Sequence, residues 1–135
     1  MVGIVVVAHG QLAEELIRTT SLIAEVDMPP MVPVSVMPTD DLDDIRTKVN
    51  QAVKHADQGD GVIVFTDMFG GSPNNVALNL LSPNRVEVIS GANLPMLTDL
   101  VYSPRDRTLS ELADQLAETG RSSIRLASQY LRGKW

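Results

Sequence analysis

The chain has 135 residues with two histidines and no cysteine. Chemistry therefore falls to imidazole, carboxylate, hydroxyl or backbone amide groups. His9 follows the apolar run at residues 4–8, and Asp67 follows a second apolar run that ends in Phe65 and Thr66. If the two runs are neighbouring parallel strands, about 4.8 Å apart, the residues leaving their ends meet within hydrogen-bond range. A carboxylate that accepts from one ring nitrogen fixes the imidazole tautomer and leaves the other nitrogen as an aimed lone pair, the form that attacks phosphorus. Gly10 lies where the first helix begins, and Gly70, Gly71 and Ser72 lie where another begins before Pro73. Glycine lets backbone N–H groups approach an anion closely, so Gly10, Gly70, Gly71 and Ser72 are candidate phosphoryl-binding positions. His55 sits in the last turn of a predicted helix, where a cation suits the carbonyl ends.

Positioning His9 beside Asp67 needs a particular scaffold. Residues 4–8 are continuously apolar without polar alternation, the pattern of a strand covered on both faces. Leu12, Ala13, Leu16, Ile17, Thr20 and Ile23 then recur at helical spacing. Residues 31–37 read as a strand that Pro33 confines to a sheet edge. Acidic residues 40–44 open a helix striped by Leu42, Ile45, Val49, Ala52 and Val53, ending before Gly59. Residues 62–65 form the next strand. Ser72 reads as an N-cap with Pro73 at the first helical position, and that helix runs toward Pro83. Residues 86–89 predict a fourth strand and residues 94–102 a short helix. Thr108 and Glu111 form a capping-box pattern before a last amphipathic helix that stops at Gly120. Residues 122–131 permit strand or helix. The alternation predicts a single α/β domain over residues 1–135, an open, mainly parallel sheet with helices on both faces in the flavodoxin-like order 2-1-3-4. The crevice where the chain reverses direction then lies between strands one and three, at His9 and Asp67.

Eleven basic against seventeen acidic residues give a net charge of −6. No dense basic cluster is present, which argues against nucleic acid and anionic membrane surfaces as partners. The first apolar run ends at Ala8, far short of the ~20 residues that cross a bilayer, and no basic segment precedes it. A cytoplasmic chain without membrane insertion is expected. A two-component receiver domain needs an acidic pair after strand one, where this chain has Ala8, His9 and Gly10. The hydrolase pattern G-x-S-x-G and the nucleotide loop G-x-x-x-x-G-K-[ST] are both missing from the sequence. A metal site built on His9, Asp67 and Asp99 lacks a further ligand that spacing justifies, so neither metal nor cofactor is expected.

Residues 3–15 (GIVVVAHGQLAEE), 66–75 (TDMFGGSPNN) and 90–97 (SGANLPML) resemble the three signature regions of the mannose-type enzyme IIA of the bacterial phosphoenolpyruvate-dependent sugar phosphotransferase system. The resemblance runs nearly end to end. It implies a phosphocarrier: phospho-HPr donates to His9, a IIB component takes the phosphoryl group onward to the sugar, Asp67 orients His9, and Ser72 lies beside the phosphoryl group. It implies partner docking on an apolar rim that includes Phe69, Asn93, Leu94, Pro95 and Met96. It also implies a homodimer formed by exchanging a C-terminal strand, here residues 122–127. Many such proteins continue through an Ala- and Pro-rich linker into a IIB domain, and the end at Trp135 predicts a IIA domain with no fused IIB. Phe69 stands where those proteins often carry tryptophan. Two alternatives use the same phosphohistidine chemistry: a regulatory domain not coupled to transport, and the phosphocarrier subunit of dihydroxyacetone kinase. The latter family tends to follow its strand-three aspartate with glycine-serine-alanine, unlike Met68, Phe69, Gly70 and Gly71 here.

Overall fold

The protein is described by a computed structural model covering residues 1–133; the last two residues of the expected 1–135 domain lie outside the described residues. Four strands, β1 (Gly3–His9), β2 (Val32–Val36), β3 (Val62–Thr66) and β4 (Val86–Ser90), form one parallel sheet in the order β2-β1-β3-β4. Each parallel crossover carries a helix: α1 (Leu12–Ile23), α2 (Leu42–Ala56) and α3 (Ser72–Leu78). Beyond β4 come α4 (Leu94–Tyr102), α5 (Leu109–Ser122) and α6 (Ala127–Arg132).

β1 is central and β2 is an edge, with Pro33 placed where a missing N–H costs least. The pleat sends alternate residues of β1 to opposite faces. Ile4, Val6 and Ala8 join Ile63, Phe65 and Ile89 against Ala13, Leu97, Leu100, Leu112 and Leu116, so this core layer is roofed by α1, α4 and α5 together. Val5 and Val7 join Val34, Val36, Val62 and Val64 against Ile45, Val49, Ala52, Val76 and Ala77 of α2 and α3. Burial on both faces explains why the strands read as unbroken apolar runs. The register pairs Val7 with Thr66 and His9 with Val36, so β1 runs past the end of β3 and delivers His9 to the rim of the sheet.

Some expectations need correction. α5 does not stop at Gly120; that glycine is helical and buried, and it lies against Met96, where a larger residue would collide. α3 ends at Leu78, well short of Pro83. Within the single chain Ser122 ends α5, Ala127 begins α6, and Ile124 (81% exposed) and Leu126 (62% exposed) lie between them; the expected exchanged strand at residues 122–127 is one that only a second copy would pair. No helix among the described residues is long and apolar enough to cross a membrane.

Candidate functional site

His9 and Asp67 meet at the carboxyl ends of β1 and β3. Asp67 Oδ2 accepts from the backbone N–H of His9 at 2.9 Å and stands 2.8 Å from His9 Nδ1, while Oδ1 accepts from the N–H of Met68 at 2.9 Å. One carboxylate oxygen thus holds both the main chain and the ring of the histidine. The Asp67 side chain is 10% exposed and that of His9 is 53% exposed. Burial pushes the Asp67 carboxyl up, but the N–H of His9, the His9 ring and the N–H of Met68 together outweigh it, and the pKa lies below the ordinary carboxylate value. An ionised Asp67 can only accept, so Nδ1 carries the proton and Nε2 presents its lone pair.

The glycines shape the walls. Gly10 has φ +59° and Gly70 has φ +89°, left-handed conformations that glycine adopts without strain. Gly71 brings its backbone close enough that a Cβ there would lie 3.4 Å from His9 Cε1. The N–H groups of Gly70, Gly71 and Ser72 have no acceptor among the described residues. Gly10 differs from expectation: its N–H donates to the carbonyl of Val36 at 2.8 Å, so it ties β1 to β2 and is not free to hold an anion. Ser72 differs too. Gly71, extended at φ −80° and ψ 165°, takes the N-cap position, and Ser72 is the first helical residue, exposed and making no capping bond.

Phe69 is 74% exposed and Met68 is 56% exposed, so both project from the loop; Met68 fills no core gap. Met96 is corrected from docking residue to core: it is 4% exposed, packed with Leu97 and Leu100. Asn93 caps α4 by accepting from the N–H of Met96 at 3.1 Å, and its amide reaches Gly120 and Ser123. Leu94 is half-buried and Pro95 exposed. Asp99 stands apart from His9, accepting from Gln115 and Thr119 between α4 and α5.

The sequence reading missed one cluster. Asn74 Oδ1 accepts from Thr66 Oγ1 at 2.8 Å and from Ser90 Oγ, joining α3 to the ends of β3 and β4. Its signal was available: Asn74 shares the buried helical stripe of Val76 and Ala77, where a polar side chain is out of place.

A family model described as "PTS system fructose IIA component" matches residues 3–117. The mannose-specific EIIAB component of the phosphotransferase system of Escherichia coli strain K12 is 29% identical over 126 residues, 92% of this chain; the chain spans only 39% of that relative's length. Among solved structures, the phosphotransferase component EIIA of Streptococcus agalactiae superposes with a TM-score of 0.83 at 26% identity, covering 96% of this chain and 99% of the other. The mannose/sorbose-specific IIA subunit of Enterococcus faecalis does so with a TM-score of 0.83 at 28% identity, covering 93% of each chain. With the model spanning most of its length and these structures matching its fold from end to end, the chain belongs to the mannose-type enzyme IIA family of the phosphotransferase system.

Proposed function

We propose that the protein is a phosphocarrier of a sugar phosphotransferase system, accepting a phosphoryl group from phospho-HPr on His9 and passing it to a IIB component. The observation that carries the reading is the His9–Asp67 pair: Nδ1 is engaged by a carboxylate whose pKa is held down, and Nε2 lies on an exposed ring. In the forward step the Nε2 lone pair forms a bond to phosphorus in line with the departing donor nitrogen. The donor's P–N bond breaks and its electron pair stays on the donor ring. His9, now phosphorylated on Nε2, keeps its Nδ1 proton, and the positive charge that develops on the ring falls against Asp67. The free N–H groups of Gly70, Gly71 and Ser72 face the transferring oxygens, and the walls need only position and stabilise charge. Exposed Phe69 and Met68 supply an apolar surface beside the ring for partner docking. A homodimer with residues 122–127 exchanged accords with this reading, since exposed Ile124 and Leu126 lack a core in the single chain; native mass reports one chain or two.

Intact mass after incubation with phosphoenolpyruvate, enzyme I and HPr tests the proposal. One acid-labile phosphoryl group on the wild type and none on His9→Ala is the expected outcome. Because His9 sits exposed at a strand end, the His9→Ala variant keeps its fold, losing about 1–2 kcal/mol with the ring's bond to Asp67. An unmodified wild type beside a demonstrably phosphorylated HPr removes the phosphocarrier reading. Onward transfer to an added IIB component separates the carrier from a regulatory domain that only holds the group.

A further inference from the structure

Thr66 and Asn74 are eight positions apart, and the segment between them carries Asp67, Gly70, Gly71 and Ser72. The 2.8 Å bond from Thr66 Oγ1 to Asn74 Oδ1 closes that segment into a ring, and Ser90 Oγ donates to the same oxygen from the end of β4. Thr66 and Asn74 are both fully buried. Away from water such a bond is strengthened, and a ring closed by it resists distortion. The carbonyl of Thr66 is fixed as well, accepting from the N–H of Ala92 at 2.9 Å.

The cost of this arrangement is visible. Asn74 Nδ2 is buried with no partner in the structure, and an unpaired buried donor destabilises a protein. An apolar residue on that face of α3, beside Val76 and Ala77, would remove the orphaned amide but leave the hydroxyls of Thr66 and Ser90 without their acceptor. What asparagine supplies and leucine cannot is one acceptor for two hydroxyls on two different strands. We propose that Asn74 is a positioning residue for the His9 site: held by Thr66 and Ser90, it clamps the 66–74 segment so that Asp67 engages His9 through both contacts and the Gly71 backbone stays against the His9 ring. Asp67 is the residue bonded directly to Thr66 in the chain, so slack at the clamp is passed to the carboxylate first. The kinetic part of the argument rests on the phosphocarrier reading; the ring geometry does not.

Two variants release the clamp, Asn74→Leu and Thr66→Val, and Thr66→Ser restores the hydroxyl. Two readouts are followed: phosphoryl transfer from phospho-HPr at saturating and limiting donor, and the ¹⁵N chemical shifts of the His9 ring. Both releasing variants are expected to lower the maximal transfer rate about tenfold to a hundredfold, the effect of a sub-ångström to ångström misplacement, with the half-saturating donor concentration unchanged. They also move the ring shifts from a single Nδ1–H tautomer toward a mixture, and Thr66→Ser returns both readouts toward wild type. A folded Thr66→Val or Asn74→Leu protein with wild-type maximal rate and wild-type ring shifts overturns the proposal, even if its melting temperature falls. If Asn74→Leu does not fold, the Thr66→Val and Thr66→Ser pair decides. If the wild type accepts no phosphoryl group at all, the phosphocarrier reading fails, and the ring shifts alone decide: a tautomer change in Thr66→Val reversed in Thr66→Ser upholds the clamp, and unchanged shifts remove it.

Discussion

Helices α2 and α5 begin with complete capping boxes, whereas α1 and α3, the two that begin beside His9, begin with none. Asp41 accepts from the N–H of Asp44 at 2.8 Å and Asp44 returns the bond at 3.0 Å; Thr108 and Glu111 do the same at 3.2 and 3.1 Å. Each such cap is worth about 1 kcal/mol. At Gln11 and Gly71 that stabilisation is forgone, and the first N–H groups of the two helices stay open. Among α1 to α5, the helix starts that do not lie beside His9 carry side-chain caps, while α6, which buries no residue, has none. Where an anion is to be held, the sequence leaves the helix ends for the ligand.

The largest effect that sharpens the contrast comes from Asp67, the one carboxylate of the site, which holds the His9 ring instead of capping a helix. Asp67→Asn keeps the size but places an amide where a pure acceptor stood, so the ring loses its enforced tautomer. Transfer to His9 is expected to slow on the order of a thousandfold, measured in rapid-quench reactions with phospho-HPr. The same carboxylate gives a pH signature. Its pKa is lower in the folded chain than in the unfolded one. Its contribution to stability is therefore complete above the ordinary carboxylate value of about 3.9 and is lost as the pH falls through the folded value. Thermal melts of wild type and Asp67→Asn should accordingly differ most near neutrality and converge below about pH 4. A gap that widens in acid contradicts the assigned ionisation.

A cap can also be forced onto the site. Gly71 has dihedrals open to any residue, and its built Cβ meets His9 Cε1 at 3.4 Å, a tight but tolerable contact. Gly71→Asp supplies an N-cap acceptor for the N–H of Asn74 and should raise stability by about 0.3 kcal/mol. It also sets a negative charge beside the ring, where the phosphoryl group must arrive. Transfer is expected to fall about tenfold to a hundredfold while the melting temperature holds or rises. A capped variant that transfers at the wild-type rate would break the link between open helix ends and function.

Much of this was legible in the sequence because one-dimensional pattern and three-dimensional placement coincide at the centre of the sheet. Unbroken β-branched runs mark β1 and β3, Pro33 marks the edge, and adjacency of the two central strands is enough to bring His9 and Asp67 together. Illegible features depend on direction or on distant partners. The N–H of Gly10 is consumed by Val36, a contact that no local rule around Gly10 specifies. Met96 lies in the stripe it shares with Leu97, Leu100 and Val101, and the orientation of α4 turns that stripe inward, away from any docking rim. Ser72 has the right residue type for a cap but stands one position late, because Gly71 already adopts the extended dihedrals a cap requires. Residues 122–131 carry apolar side chains at spacings open to either element, and within one chain the local helical bonds of α6 form without a core to oppose them.

The smallest effect tests the other half of the contrast. Asp41 begins α2 at the same end of the sheet as the site, yet its carboxylate is spent entirely on the capping box. If caps here serve stability alone, Asp41→Ala removes one helix-end bond and costs about 1 kcal/mol, a loss of about 3 °C in melting temperature for a domain of this size. The maximal transfer rate and the half-saturating donor concentration should both stay within experimental error of wild type. Thr108→Ala, at the start of α5, should lose a similar amount and serves as the control for a cap remote from β1. A transfer defect in Asp41→Ala but not in Thr108→Ala would mean that the start of α2 helps shape the site through the β2 end, where Val36 accepts from the N–H of Gly10. The boundary between capped and functional helix ends would then move outward by one crossover, from α1 to α2.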